Sequence, residues 1–103
     1  MDIKQQINDS TGTLILNGRF DFNSHRAFKE SYSGFLTDAG VKTVEIDLAN
    51  VSYIDSSALG MLLMLRERGE GANKKIVLCN PSEVVAQILD IANFNKLFPI
   101  VRP

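Results

Sequence analysis

The chain has 103 residues, 45% of them hydrophobic, and a formal net charge of −1. That length allows one domain, residues 1–103, whose single core needs neither disulfides nor metal. Near-neutral charge, with Lys and Arg scattered rather than striped among aromatics, excludes a nucleic-acid surface.

Met1 to Gln6 does not have the pattern of a signal peptide. Ile3 to Ile7 reads as a weakly alternating first strand. The turn cluster Asn8-Asp9-Ser10-Thr11-Gly12 then predicts an antiparallel return over Thr13 to Asn17. Asn23 or Ser24 is placed to cap a helix in which Phe28, Tyr32, Phe35 and Leu36 recur at helical spacing, with Gly40 as its left-handed stop. Thr43 to Leu48 alternates apolar and polar residues and predicts a strand. A helix is expected from Ser56 to about Arg68, ending near Gly69 and Gly71. A buried strand follows over Lys75 to Asn80.

Cys79 closes that run, and as a lone thiol it is expected in the core of a protein from a reducing compartment. Pro81-Ser82-Glu83 opens a third helix with Val84, Val85, Ile88, Leu89 and Ala92 on one side, and a short strand over Leu97 to Val101 ends the chain. Strands separated by helices at this spacing imply an α/β fold, with a mixed four- to five-stranded sheet and helices mainly on one face. No apolar run reaches membrane-spanning length, so no membrane insertion is expected.

The most informative stretch is Val51-Ser52-Tyr53-Ile54-Asp55-Ser56-Ser57-Ala58-Leu59-Gly60-Met61-Leu62. It reads as strand, turn and helix, with a carboxylate and two hydroxyls at the helix start. Asp or Ser at an N-cap accepts bonds from the first free N–H groups, and the positive helix end suits an anion. A serine there is either an ordinary cap or a hydroxyl placed to hold a phosphate. Along the helix, Ala58, Leu59, Leu62 and Leu65 form a core stripe with Leu63 at its flank. Ser57, Gly60, Met61, Met64, Glu67 and Arg68 fall on the other side. A covering element could bury that side, or it could serve as a docking surface. Methionine repacks easily, and glycine admits a partner's backbone.

Asp55-Ser56-Ser57-Ala58-Leu59-Gly60 resembles the Asp-Ser-Ser/Thr-Gly-Leu-Gly signature of STAS domains of the anti-sigma factor antagonist type, with Ala58 where glycine is usual. Leu16-Asn17-Gly18-Arg19-Phe20-Asp21 is similar to the family's strand and Gly-x-x-Asp loop. Val44 to Leu48 with Val51 and Ile54 resembles its central strand, and Ile91 to Ile100 its last helix and strand.

The resemblance implies a bacterial, cytoplasmic, monomeric phosphoswitch that is not an enzyme. Its unmodified form would bind a serine kinase of the histidine-kinase-like ATPase fold, often itself an anti-sigma factor. Phosphorylation would release the kinase, and a metal-dependent serine phosphatase would reset the switch. Carried onto this chain, Ser56 is the phosphoacceptor and Ser57 the second choice. Asp21, Asp55, Ser56, Ser57, Gly60, Met61 and Met64 form the partner surface. ATP and Mg²⁺ belong to the kinase, so no cofactor is expected here.

A structural subunit of a transport or stress-sensing complex, without phosphate turnover, is the alternative. A nucleotide or small-ligand pocket between the Asp21 loop and the Ser56 turn is a more distant one. The lack of membrane spans excludes a whole sulfate transporter, the other setting of such domains. Catalysis by the chain alone has little to work with. His25 is the only histidine and is expected in solvent at a helix start, no Gly-x-Ser-x-Gly elbow is present, and Asp21 reads as a solvated turn residue.

Overall fold

A computed structural model describes residues 1–102. Two strands, β1 (Asp2–Asn8) and β2 (Thr11–Phe20), form an antiparallel hairpin with Ile3 opposite Leu16 and Gln5 opposite Leu14. Asp9 takes the left-handed conformation that the tight turn demands, with φ 55°, which Asp tolerates better than most residues. The chain then alternates through α1 (His25–Thr37), β3 (Thr43–Ile54), α2 (Ser56–Gly71), β4 (Lys75–Cys79), α3 (Glu83–Ile91) and β5 (Ile100–Val101). The sheet runs β1-β2-β3-β4-β5, antiparallel at its first pair and parallel thereafter. Each parallel crossover advances one strand in the same direction, so right-handed connections stack the helices on one side.

That side holds the core. Leu14, Leu16, Val44, Ile46, Leu48, Ile76 and Leu78 from the strands meet Phe28, Tyr32 and Phe35 of α1, Leu62 and Leu65 of α2, and Val85 and Leu89 of α3. The rings of Phe20, Phe28 and Tyr32 pack in a tilted, edge-on series with centroids 4.9 and 5.3 Å apart, a geometry favoured by aromatic quadrupoles.

Several boundaries differ from the sequence reading, each for a local reason. β2 and β3 are longer than the alternation suggests, and their ladder carries irregularities at Ile15/Asn17 and Gly18/Arg19. Gly18 sits there at φ 103°, a conformation side chains rarely adopt. Ser24 occupies the N-cap of α1 without bonding the helix through its side chain. α1 ends at Thr37 rather than at a left-handed Gly40. The Asp38 carboxylate accepts from the Gly40 amide at 2.8 Å and turns the chain instead.

α2 runs through Gly69 to Gly71. A Cβ on Gly69 would lie 2.6 Å from Ile76 Cδ1, so this glycine serves helix-to-strand contact and not termination. The reversal after α2 falls on Asn73, at φ 59°. On α3, Val84 faces solvent while Val85, Ala86 and Leu89 are buried. The terminal strand is only Ile100–Val101, preceded by a 3-10 turn at Phe94–Lys96.

Candidate functional site

At the end of β3 the chain leaves Ile54 and enters α2 through Asp55, which holds the N-cap in an extended conformation. Its Oδ1 accepts from the Ala58 amide at 2.8 Å, the bond expected of a helix cap. Its Oδ2 accepts from the Phe22 amide at 3.2 Å, and its own amide donates to the Phe20 carbonyl at 3.2 Å. One residue therefore caps α2 and ties the β2–α1 loop to it. Of the alternatives left open by the sequence, the cap is Asp55. Ser56 and Ser57 are the first two helical residues, and both are exposed. Among the described residues, nothing accepts from either amide, as expected for the free N–H groups of a first turn.

The facing loop is built around Asp21. Its Oδ1 accepts from the Asn23 amide at 3.0 Å, and the Ser24 hydroxyl accepts from the Asp21 amide at 3.2 Å and donates to the Arg19 carbonyl at 3.2 Å. This reciprocal box makes Asp21 the cap of a 3-10 turn, Phe22–Ser24, and corrects its reading as a solvated turn residue. Arg19 Nε approaches Asp21 at 3.7 Å while its guanidinium stacks 4.7 Å from the Tyr53 ring centroid. The Arg19 side chain is 65% exposed, so each contact contributes little to stability. The sequence had no means of placing Asp21 and Asp55 together. The Asp55–Phe22 bond now joins their two loops.

The side of α2 away from the sheet is divided. Gly60 is open, with nothing within 4 Å of the point where a Cβ would stand, and Met64 is 43% exposed. Met61 is not outward, being only 8% exposed, because α1 crosses this flank of α2 and covers it. The covering-element reading thus holds for Met61 and the open-surface reading for Gly60 and Met64. Phe22, His25, Ser57, Gly60, Met61 and Met64 line an open cleft of about 340 Å³ at the mouth of the α1/α2 groove. Phe22, 73% exposed, was missed by the sequence reading. Its one signal there was its place directly after Asp21. His25 lies in solvent as expected, on the rim of that cleft.

Cys79 is buried, yet on the sheet face opposite the helices, where the register sets it beside Asp47 and Val101. Burial, reinforced by the nearby Glu45 and Asp47 carboxylates, pushes its thiol pKa up to about 11. This is an inert thiol rather than a reactive one.

A family model described as Mlab, STAS domain, matches residues 3–102. The chain belongs to the STAS domain family. Relatives agree. A STAS-domain containing protein of Pseudomonas aeruginosa is 44% identical over 88 residues, 85% of each chain. Among solved structures, a candidate anti-sigma factor antagonist from Thermotoga maritima superposes with TM-score 0.87 at 21% identity, covering 98% of this chain and 86% of its own. SpoIIAA in its unphosphorylated form gives 0.80 at 19% identity, covering 96% of this STAS chain and 87% of that one. The Bacillus SpoIIAA in the phosphorylated form gives 0.73 at 18%, covering 96% and 90%. At these identities the structural likeness is one of fold. Among the described residues no helix is long and apolar enough to cross a membrane.

Proposed function

We propose that this STAS domain, acting as one module over residues 1–103, is a phosphoswitch binding protein with no catalytic activity of its own. In its unmodified form it binds and sequesters a serine kinase that doubles as an anti-sigma factor, of the histidine-kinase-like ATPase fold. Phosphorylation of Ser56 releases that partner, and a metal-dependent serine phosphatase restores the hydroxyl. The module works in the bacterial cytoplasm as a monomer, and ATP and Mg²⁺ are brought by the kinase.

The observation that carries this reading is the division of labour at the start of α2. Asp55 already caps the helix, so the exposed Ser56 hydroxyl has no structural duty and is free to be modified. The two unpartnered amides and the helix dipole would accommodate the resulting anion without unfolding the domain. A partner shaped to the neutral hydroxyl would instead meet a tetrahedral group with a charge of about −1.5 to −2. A loss of roughly 3 kcal/mol then weakens binding by about two orders of magnitude. The likeness in fold to a protein solved in a phosphorylated form is consistent with such a modification.

The test is to incubate the domain with its cognate serine kinase, ATP and Mg²⁺, and to locate the phosphate by peptide mass spectrometry. One phosphate on Ser56 is expected, with Ser56→Ala binding the kinase and resisting shutdown, and Ser56→Asp folding but binding poorly. Labelling of Ser57 would move the acceptor by one position. No labelling, with the Ala and Asp variants indistinguishable in binding, would overturn the switch and favour a structural subunit.

A further inference from the structure

The sheet ends in two unlike edges. On one side β5 is only Ile100–Val101, a length that blunts an edge against further pairing. On the other, β1 offers seven residues, Asp2–Asn8, with no proline and an unbroken register against β2. No strand pairs with its outer side among the described residues. The two-residue loop of Asp9 and Ser10 makes Asn8 and Thr11 the closing hydrogen-bonded pair of the hairpin. Alternate residues of β1 then turn their amides and carbonyls to β2, while Ile3, Gln5 and Ile7 turn theirs outward. The Ser10 carbonyl fits this phase, since it accepts from Lys42 and Thr43 on the β3 side at 2.7 and 3.3 Å.

Only one antiparallel register sets these three residues against their counterparts in a second copy. Centred on Gln5, it places Ile3 opposite Ile7, Lys4 opposite Gln6 and Asp2 opposite Asn8. Shifts towards either end leave Ile3 or Ile7 beyond the facing strand. Ile7, 58% exposed in the single chain, gains an apolar cross-strand neighbour in this register, and no like charges stand directly opposite. The flank of α1 suits the same two-fold axis. Gln5 Nε2 donates to the Ser31 carbonyl at 2.6 Å, which sets that flank above β1. Ala27 and Gly34 share it at about 100° per residue. Both are exposed, and nothing lies within 4 Å of a Cβ built on Gly34. Arg26, Lys29 and Glu30 gather round a separate cleft on the outer side of the helix.

We propose that β1 is a self-association edge. Two copies pair β1 to β1, antiparallel about Gln5, and join their five-stranded sheets edge to edge. The three outward residues exchange backbone hydrogen bonds across the joint, and the small side chains of the α1 flank let the two helices approach above it. The phosphoswitch reading concerns one copy and its kinase. Met61 and Met64 meet the opposite flank of α1, so the Ser56 end stays open in each copy. Pairing is a state of the free protein at raised concentration, and neither idea rests on the other.

Sedimentation equilibrium of the intact chain from about 10 μM to about 1 mM should show the mass rising towards twice that of one chain. Gln5→Pro removes an N–H that the hairpin does not use, so it should keep its circular dichroism and stay monomeric. Ile7→Lys changes an exposed side chain and should weaken pairing about fivefold, which keeps the test decisive if the proline variant unfolds. The register is read by disulfides. Lys4 and Gln6 of the two copies face each other at a non-hydrogen-bonded position, with Cα atoms about 4.5 Å apart. A mixture of Lys4→Cys and Gln6→Cys proteins, equilibrated with oxidised glutathione, should therefore form the mixed disulfide in excess over either homodimer. A constant monomer mass, a dimer indifferent to Ile7→Lys, or no excess of the mixed disulfide would each overturn the proposal. All three are read without kinase or phosphate, so failure here leaves the switch standing, and the reverse.

Discussion

Asp55 carries two jobs with one carboxylate, and they can be separated by substitution. Asp55→Ala removes the acceptor for Ala58 and for Phe22. A lost cap costs about 0.5–2 kcal/mol, and the exposed Phe22 amide recovers a bond from water, so a total of about 1–2 kcal/mol is expected. In a chain of this size that lowers Tm by about 4–8 °C for each kcal/mol. Asp55→Asn keeps an oxygen for the cap and should lose less, which thermal unfolding of the two variants will order. Ser56, one residue on, should behave oppositely. Its side chain makes no hydrogen bond among the described residues, so Ser56→Ala should shift stability by less than about 0.5 kcal/mol. A larger loss would give Ser56 a structural role and weaken its claim as a residue kept free for modification.

At the scale of elements, α2 shows both what periodicity reveals and where it stops. The stripe Ala58, Leu59, Leu62 and Leu65 is legible because residues three and four apart share a face; Ala58, Leu62 and Leu65 are fully buried and Leu59 partly so. Met61 was assigned outward because its own helix says nothing about what crosses it. α1 does so, and only the packing of two helices remote in sequence decides the matter. The same limit explains Val84, which borders an apolar run on α3 yet faces solvent, and Cys79, whose burial was foreseen but on the wrong side of the sheet.

The candidate site was legible in its residue types, through a short acidic and hydroxyl cluster at a strand-to-helix turn. Its assembly was not, because the Asp55–Phe22 bond spans 33 residues. The two faces of α2 are separable by experiment. Met61→Ala should cost about 2 kcal/mol, the low end for a buried methionine, while Met64→Ala should cost less than about 0.5 kcal/mol. Met64→Glu should fold, and Leu62→Glu should not, since it forces an unpaired charge into the core. Urea unfolding of the four variants checks the assignment, and equal losses at Met61 and Met64 would contradict it.

Across the whole molecule, the sheet has one face sealed by three helices and a second that carries Thr13, Ile15, Glu45, Asp47, Val77 and Cys79. Sealing one side makes the core, while the second face buries a titratable group beside two acids, and this couples global stability to alkaline pH. Unfolded, a thiol ionises near its ordinary value of ~8.5. Folded, Cys79 keeps its proton up to about 11 because burial and the Glu45 and Asp47 carboxylates disfavour the thiolate. Between those values the unfolded chain has released a proton that the folded chain still holds, so raising the pH favours unfolding.

The contribution is fully present below the unfolded value and disappears as pH rises towards the folded one. Tyr32 is raised mainly by burial and adds a loss of the same sign in the alkaline range, starting from its higher ordinary value. Cys79→Ala isolates the thiol, because it leaves Tyr32 in place and costs a roughly pH-independent amount of packing. Urea unfolding of both proteins from neutral pH to about 10.5 should therefore show a constant gap below the ordinary thiol value of ~8.5 and a narrowing one above it. Parallel curves throughout would mean that the Cys79 proton is no better held in the folded sheet than in the unfolded chain.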